Sequence, residues 1–227
     1  MAVAYNFAGP RIVDDGLVLY LDAANPNSYN PSTPLTWRDI SRNGNNGTLT
    51  NSPTFNSANR GSIVFDGVDD FVQISASLNI TTATFVVWLR RNGNQNTYDG
   101  ILFSRGTNIT GISFYTSNQL GYTWNNAVNT YTWNSSLIVP DLTWCMCAIS
   151  ITSNSATAYL YQSTGLTTAT NIVSHTSTIL DDIKIGQDDF GSRFFTGNIA
   201  QAQIYNRALT STEILQNYNA TKGRFGL

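Results

Sequence analysis

Short bursts of alternating apolar and polar residues recur along this chain, and a helical period is sustained only once. In ATFVVWLRR, residues 83–91, Phe85, Val87 and Leu89 fall on one face and Val86 and Trp88 on the other. The pattern predicts a strand covered on both sides. LVLYLDAA (17–24), GILFSR, GISFYTS, LGYTWN, TYTWNSS, LTWCMCAISIT, ATAYLYQST, DIKIG (182–186) and GNIAQAQIY (197–205) read as further strands. SIVFDGVDDFVQIS (62–75) reads as two strands around a short turn. Turn residues separate these runs at roughly 8–15 residues, the spacing of a β-sandwich or barrel. NPNSYNPSTP (25–34) predicts a long surface loop, and the Asn-Gly pairs at Asn43 and Asn46 mark tight turns.

The helical exception follows Thr210-Ser211-Thr212-Glu213, a capping-box pattern in which the hydroxyl serves backbone amides and the glutamate reaches back. Ile214, Leu215 and Tyr218 supply one apolar face, and the helix is expected to end near Gly223. Residues 1–16 hold a Gly9-Pro10 break and no sustained period, so they read as an extended N-terminal arm ahead of one domain, 17–227.

Composition supports an all-β fold. At 227 residues the chain is ordinary for one large sandwich. Charged residues make up 11% of it, well under the usual quarter. Few charges with many β-branched and aromatic residues argue for packed strands rather than disorder. The net charge is −2 and no basic cluster exceeds Arg90-Arg91, which excludes the electrostatic footprint of a nucleic-acid binder. No apolar run approaches the ~18 residues of a membrane span, so no membrane insertion is expected. MAVAYNFAGPRIVDDG has no basic segment leading into an apolar core, so no secretory signal is expected. A protein that acts where it is made, or that leaves inside a virus particle, fits this opening.

Cys145 and Cys147 stand two apart on one strand face, too far apart for easy bridging, and read as buried thiols. His175 is the only histidine, too few for a zinc site with these cysteines, and it reads as a structural residue of the sheet.

Three motifs carry a resemblance. Trp37-Arg-Asp39-Ile-Ser41 with the following Asn-Gly pairs, FDGVDDFV (65–72), and IGQDDFGSRFFTGNIAQAQIYNRALTSTE (185–213) together resemble the signature of laminin-G-like, concanavalin A-like jelly rolls, including the pentraxins. The resemblance implies two antiparallel sheets and one short C-terminal helix, with FDGVDDFV forming a hairpin. AYNFAGPRIVDDGLVLYLDAANPNSY (4–29) also resembles the starts of laminin-G-like proteins encoded by tailed phages, especially those of marine cyanobacteria.

Within that fold, the enzymes are glucanases that act with paired carboxylates flanking the bond. Here the one glutamate, Glu213, falls in the helix cap. Asp69-Asp70 and Asp188-Asp189 are sequence neighbours, which on a strand point to opposite faces. No catalysis is expected. Calcium takes 6–8 oxygen ligands, and Gln187, Asp188 and Asp189 offer three oxygen-bearing side chains in one loop. The pentraxin resemblance implies a second loop donor, for which Asn108 is the candidate. The alternative is that these aspartates are turn residues bonding their own backbone. The same two readings apply to Asp66, Asp69 and Asp70. Aromatic residues at period two, Tyr122 with Trp124 and Tyr131 with Trp133, either form a sugar-stacking platform or fill the core.

The expected function is a non-catalytic virion structural protein, a capsid decoration or tail-fibre module. It would join other virion proteins through residues 1–16, as a homo-oligomer or assembly component, and meet host-surface glycans with its loops. A calcium-dependent lectin module is the alternative, and a glycoside hydrolase the third reading.

Overall fold

The computed structural model describes residues 11–227. Its strands are β1 (Leu17–Asp22), β2 (Thr36–Trp37), β3 (Gly47–Thr50), β4 (Thr54–Asn56), β5 (Ser62–Asp66), β6 (Phe71–Ile80), β7 (Ala83–Arg91) and β8 (Gly100–Arg105). The chain continues through β9 (Ile109–Tyr115), β10 (Gln119–Thr123), β11 (Cys145–Ile151), β12 (Ala156–Gln162), β13 (Gly165–Asn171), β14 (Thr178–Ile185) and β15 (Thr196–Tyr205). A single helical turn, α1 (Val128–Tyr131), follows β10, and helix α2 (Ser211–Thr221) follows β15.

The strands form two antiparallel sheets, as the alternation and the family resemblance predict. The eight-stranded sheet runs β13-β12-β11-β7-β15-β5-β4, with β1 also paired to β15; the seven-stranded sheet runs β10-β9-β8-β14-β6-β3-β2. β15 is the hub of the larger sheet. It meets β7 along one edge, and β5 then β1 along the other, through Thr196↔Asp66 and Leu19↔Ile204.

Between the sheets lies a core that includes Leu21, Trp37, Ile63, Phe65, Val72, Phe85, Val87, Leu89, Phe114, Ile185 and Phe195. A second cluster covers the other side of the larger sheet, where Val86, Trp88, Met146 and Tyr161 pack beneath α2 and the following 3-10 turn. β7 is therefore buried on both faces, as its sequence predicts. Trp88 stacks against Phe225 with ring centroids 4.2 Å apart, and its indole N–H donates to Thr221 at 2.8 Å. Cys145 and Cys147 are buried free thiols on one face of β11, with sulfurs 3.9 Å apart.

The capping box forms as expected: Thr210 accepts from the Glu213 amide while its own amide donates to Glu213. The buried face of α2 differs from the expected one. Ile214 and Asn217 are buried while Leu215 is exposed. Asn217 is drawn inward because its oxygen accepts from the Val13 amide at 2.8 Å and its nitrogen donates to Tyr205.

Three further expectations are corrected. Residues 1–10 of the arm lie outside the described residues, but residues 11–16 are part of the body. Val13 is buried, its carbonyl accepts from Tyr205, and Asp15 pairs with Arg207 at 2.7 Å. FDGVDDFV is not a hairpin. β5 belongs to the larger sheet and β6 to the smaller, so the turn carries the chain across the sandwich. Finally, TYTWNSS is not a strand. Asn125 and Asn126 take positive φ, and the Thr130 hydroxyl donates to the Ala127 carbonyl while accepting from the Trp124 amide. That side-chain bonding closes a turn and outcompetes the alternation.

Candidate functional site

The outer face of the seven-stranded sheet is partly roofed by the loop joining β14 to β15. Gly186 begins that loop at φ 87°, a conformation that favours glycine, and its Cα faces the Phe65 ring too closely for a side chain. The loop folds back on itself. The Asp188 amide donates to the Arg193 carbonyl at 3.1 Å, and Gln187 pairs with Phe194 as an isolated bridge.

The Asp188 side chain is 1% exposed. Arg105, at the end of β8, grips it with two bonds of 2.5 and 2.9 Å, and Arg193 adds a third at 2.8 Å. Such bidentate, charge-assisted pairs are the strong class of hydrogen bond. Both guanidinium groups also lie against aromatic rings. Arg105 sits 5.2 Å from the Phe190 centroid and 5.7 Å from Phe103; Arg193 sits 4.7 Å from Phe190 and 4.8 Å from Tyr98. Tyr98 in turn meets Tyr131 edge to face at 6.1 Å. Phe190, 61% exposed, thus lies near both guanidiniums in the cleft lining.

These residues, with Ile109, Thr123 and Asn126, line a cleft of about 300 Å³. That is the small end of the range for ligand sites. Asp99 is fully buried nearby; burial raises its carboxyl to about 6, against the lowering effects of the Asn96 amide and Arg193. One of its oxygens and the side-chain Oε1 of Gln187 are buried with no hydrogen-bond partner among the described residues.

The four calcium candidates do not form a ligand set. Both oxygens of Asp188 are committed to guanidiniums, and Asp189 pairs with Lys184. Gln187 reaches Asp189 only through its nitrogen, at 3.5 Å. Asn108 spends its oxygen on the Ile179 amide at 2.9 Å, bracing β9 against β14. A cation here would have to displace two arginines already in place, so these residues do not fit calcium.

Asp66, Asp69 and Asp70 bring carboxylate oxygens within 4.8 Å of one another, yet they serve the sheet-crossing turn. Asp66 accepts from the Val68 amide at 2.8 Å, and Asp70 accepts from the Asp66 amide at 3.1 Å. These bonds from Asp66 and Asp70 are of the kind the turn reading describes.

Of the four aromatic candidates, only Tyr131 lines the cleft. Tyr122, in β10, and Trp124, just after it, do share one face, but that face is the core, where they are 1% and 2% exposed. Tyr122 there contacts His175 Nε2 at 3.0 Å, and Trp124 donates to the Thr176 carbonyl. Trp133 packs edge-on against Tyr122 at 5.7 Å. His175 is buried and structural, its ring nitrogens occupied by Tyr122 and the Thr152 carbonyl, and burial lowers its pKa. Sequence reasoning missed Tyr98, Arg105, Phe190 and Arg193. The available signal was in DDFGSR itself, where an aromatic residue and an arginine interrupt an otherwise polar turn.

Comparison with known proteins gives the same fold. Domain 4 of AbnA, a GH43 extracellular arabinanase from Geobacillus stearothermophilus solved with arabinotriose, superposes with a TM-score of 0.66 at 15% identity, over 87% of this chain and 96% of that one. Trypanosoma rangeli sialidase in complex with sialic acid gives 0.62 at 16% identity, over 92% of this chain but 33% of the sialidase. The binding domain of Paraclostridial Mosquitocidal Protein 1 gives 0.62 at 13% identity, over 90% of this chain and 52% of that domain. The chain therefore spans about a third of the sialidase and about half of the toxin domain. No curated protein sequence matches it. At these identities the likeness is one of fold. Residues 66–215 match the family model for this architecture, and the chain belongs to the Concanavalin A-like lectin/glucanases superfamily.

Proposed function

We propose that this protein is a non-catalytic, glycan-binding β-sandwich carried on a virus particle, as a capsid decoration or tail-fibre module that meets host-surface sugars. The carrying observation is the cleft over the seven-stranded sheet. It offers aromatic faces from Tyr98, Tyr131 and Phe190 beside open hydrogen-bonding groups, the combination that suits a sugar ring with its apolar face and polar rim. Asp188 is the one carboxylate lining it among the described residues, and both its oxygens are bonded to arginines. A glycosidase needs one carboxyl to give a proton and a second as base or nucleophile, and this cleft has neither free. Its polar groups are likewise not arranged for calcium, so sugar binding is proposed to be calcium-independent. AbnA domain 4, which shares the fold, was solved with a bound arabinotriose, and that supports a sugar ligand here. The virion placement is supported by the resemblance of residues 4–29 to phage laminin-G-like proteins, and attachment to other virion proteins is proposed to run through residues 1–16.

A glycan array, with and without chelator, tests the binding. The expected result is chelator-insensitive binding that falls on Phe190→Ala, without turnover of the bound sugar. Released reducing ends would overturn the non-catalytic reading. Mass spectrometry of purified virions tests the placement, which the chain's absence from the particle would overturn.

A further inference from the structure

Resting on the glycan reading, we infer that the sugar taken by this cleft is an acidic one, whose carboxylate seats on Arg105 and Arg193.

Three observations carry the inference. The first is an imbalance of hydrogen-bonding groups. Asp188 occupies Arg105 Nε and Nη2 and Arg193 Nη1. Arg105 Nη1 and Arg193 Nε and Nη2 have no acceptor among the described residues, although all belong to groups that line the cleft. Guanidinium nitrogens only donate, and each hydroxyl of a neutral sugar both donates and accepts. A site built for neutral sugar alone needs a charged or amide acceptor to match. Here, among the described residues, the one lining carboxylate is spent and Asn126 supplies the one lining amide, against three guanidinium nitrogens left to donate.

The second is charge. The cleft wall holds two guanidinium groups and one carboxylate. Lys184 and Asp189, alongside, neutralise each other. Asp99, the other acid near Arg193, is fully buried and does not line the cleft, so its charge at neutral pH lies away from the opening. The surplus positive charge therefore faces the opening.

The third is preorganisation. Each guanidinium is flanked by the Phe190 ring, 5.2 and 4.7 Å from its centroid, and held at its edge by the fully buried Asp188. A planar fork held in place loses little side-chain freedom on binding and matches a carboxylate through two parallel bonds.

The test is titration calorimetry of the full chain with oligogalacturonate, oligomannuronate, oligoguluronate and sialyllactose, each against its own methyl ester, with a sulfated oligosaccharide as a further arm. The expected result is at least one free acid bound about tenfold or more tighter than its ester, a difference of roughly 1.4 kcal/mol. That preference should shrink as salt rises from about 50 to about 500 mM, because the added ions screen the charged pair and leave the ester contacts unchanged. Arg193→Gln should collapse the acid-to-ester ratio toward one. The salt series on the unmodified protein keeps the test decisive should that variant misfold. Equal binding of acid and ester would overturn the acidic-sugar inference and leave the glycan reading standing. Preference for the sulfated arm over every carboxylate would also overturn it. Failure of every ligand would overturn both.

Discussion

Replacing Asp188 with Asn isolates what the loop between β14 and β15 does. The substitution keeps the size of the side chain and removes the charge that joins Arg105 and Arg193. Three charge-assisted bonds of 2.5–2.9 Å depend on it, each worth about 1.5–3 kcal/mol in net terms. They are not additive here, because both arginines keep some access to water, with side chains 18% and 25% exposed. Removing one partner of a buried pair costs about 3–5 kcal/mol, and the partial access places the expected loss at the lower end, about 3 kcal/mol. For a chain of this size that lowers Tm by roughly 6–12 °C. Urea unfolding followed by tryptophan fluorescence, in calcium and in chelator, measures it. The loss should be the same in both conditions. A loss under about 1 kcal/mol, the range of ordinary surface substitutions, would refute the ion-pair account. So would a calcium-dependent stabilisation of the native protein that vanishes in the variant, which would return Asp188 to the role of metal ligand.

Gly67→Ala places a methyl group against the Thr196 hydroxyl at a backbone φ of 78°. The backbone strain alone costs about 1–3 kcal/mol, so pairing it with Thr196→Ala should recover only the steric part of the measured loss. Asp99 holds its proton to about pH 6 in the folded chain, later than an ordinary aspartate. The folded state therefore binds more protons than the unfolded one between about pH 4 and 6, and stability falls as pH rises through that window. Asp99→Asn should flatten this slope in Tm measured against pH and stabilise the protein at pH 7; parallel profiles would refute it. Phe225→Ala removes the ring stacked on Trp88 at 4.2 Å and tilted against Trp144 at 4.8 Å. The expected loss is about 3 kcal/mol, with a red-shifted tryptophan emission where the indoles gain water.

Much of the architecture was readable from local pattern. β7, β8 and the capped helix α2 come from alternation and capping chemistry that act within a few residues. What was missed depends on distant partners. The residues around Gly67 look the same whether the turn closes a hairpin or crosses the sandwich. The difference is made by β15 and β14, which claim β5 and β6 for separate sheets. β13, the polar run GLTTATN, shows no apolar face because it is an exposed edge strand paired only to β12. Period two correctly put Tyr122 and Trp124 on one face, but it does not say which face is covered. The cleft was least legible, because its central ion pair joins residues 83 apart in the chain. Asp188 and Asp189 are chemically identical in the sequence, and only the fold assigns one to two guanidiniums in a buried ion pair and the other to Lys184.

The position of β15 has a consequence for how the chain is made. The strand fills the gap between β7 and the β1 and β5 edge, so the larger sheet has no continuous centre until it arrives. Tyr205 bonds the carbonyl of Val13, 192 residues earlier. At about 5–20 residues per second, a ribosome needs roughly 10–40 s between those two points. Through most of that interval β1, and one edge of β7 once it is made, present unpaired backbone, the surface through which nascent chains associate wrongly. Long-range pairing of this kind is also slow to close once complete. Synthesis on crowded polysomes should therefore be the vulnerable stage for this protein, and co-translational chaperones the factor that most changes its soluble yield.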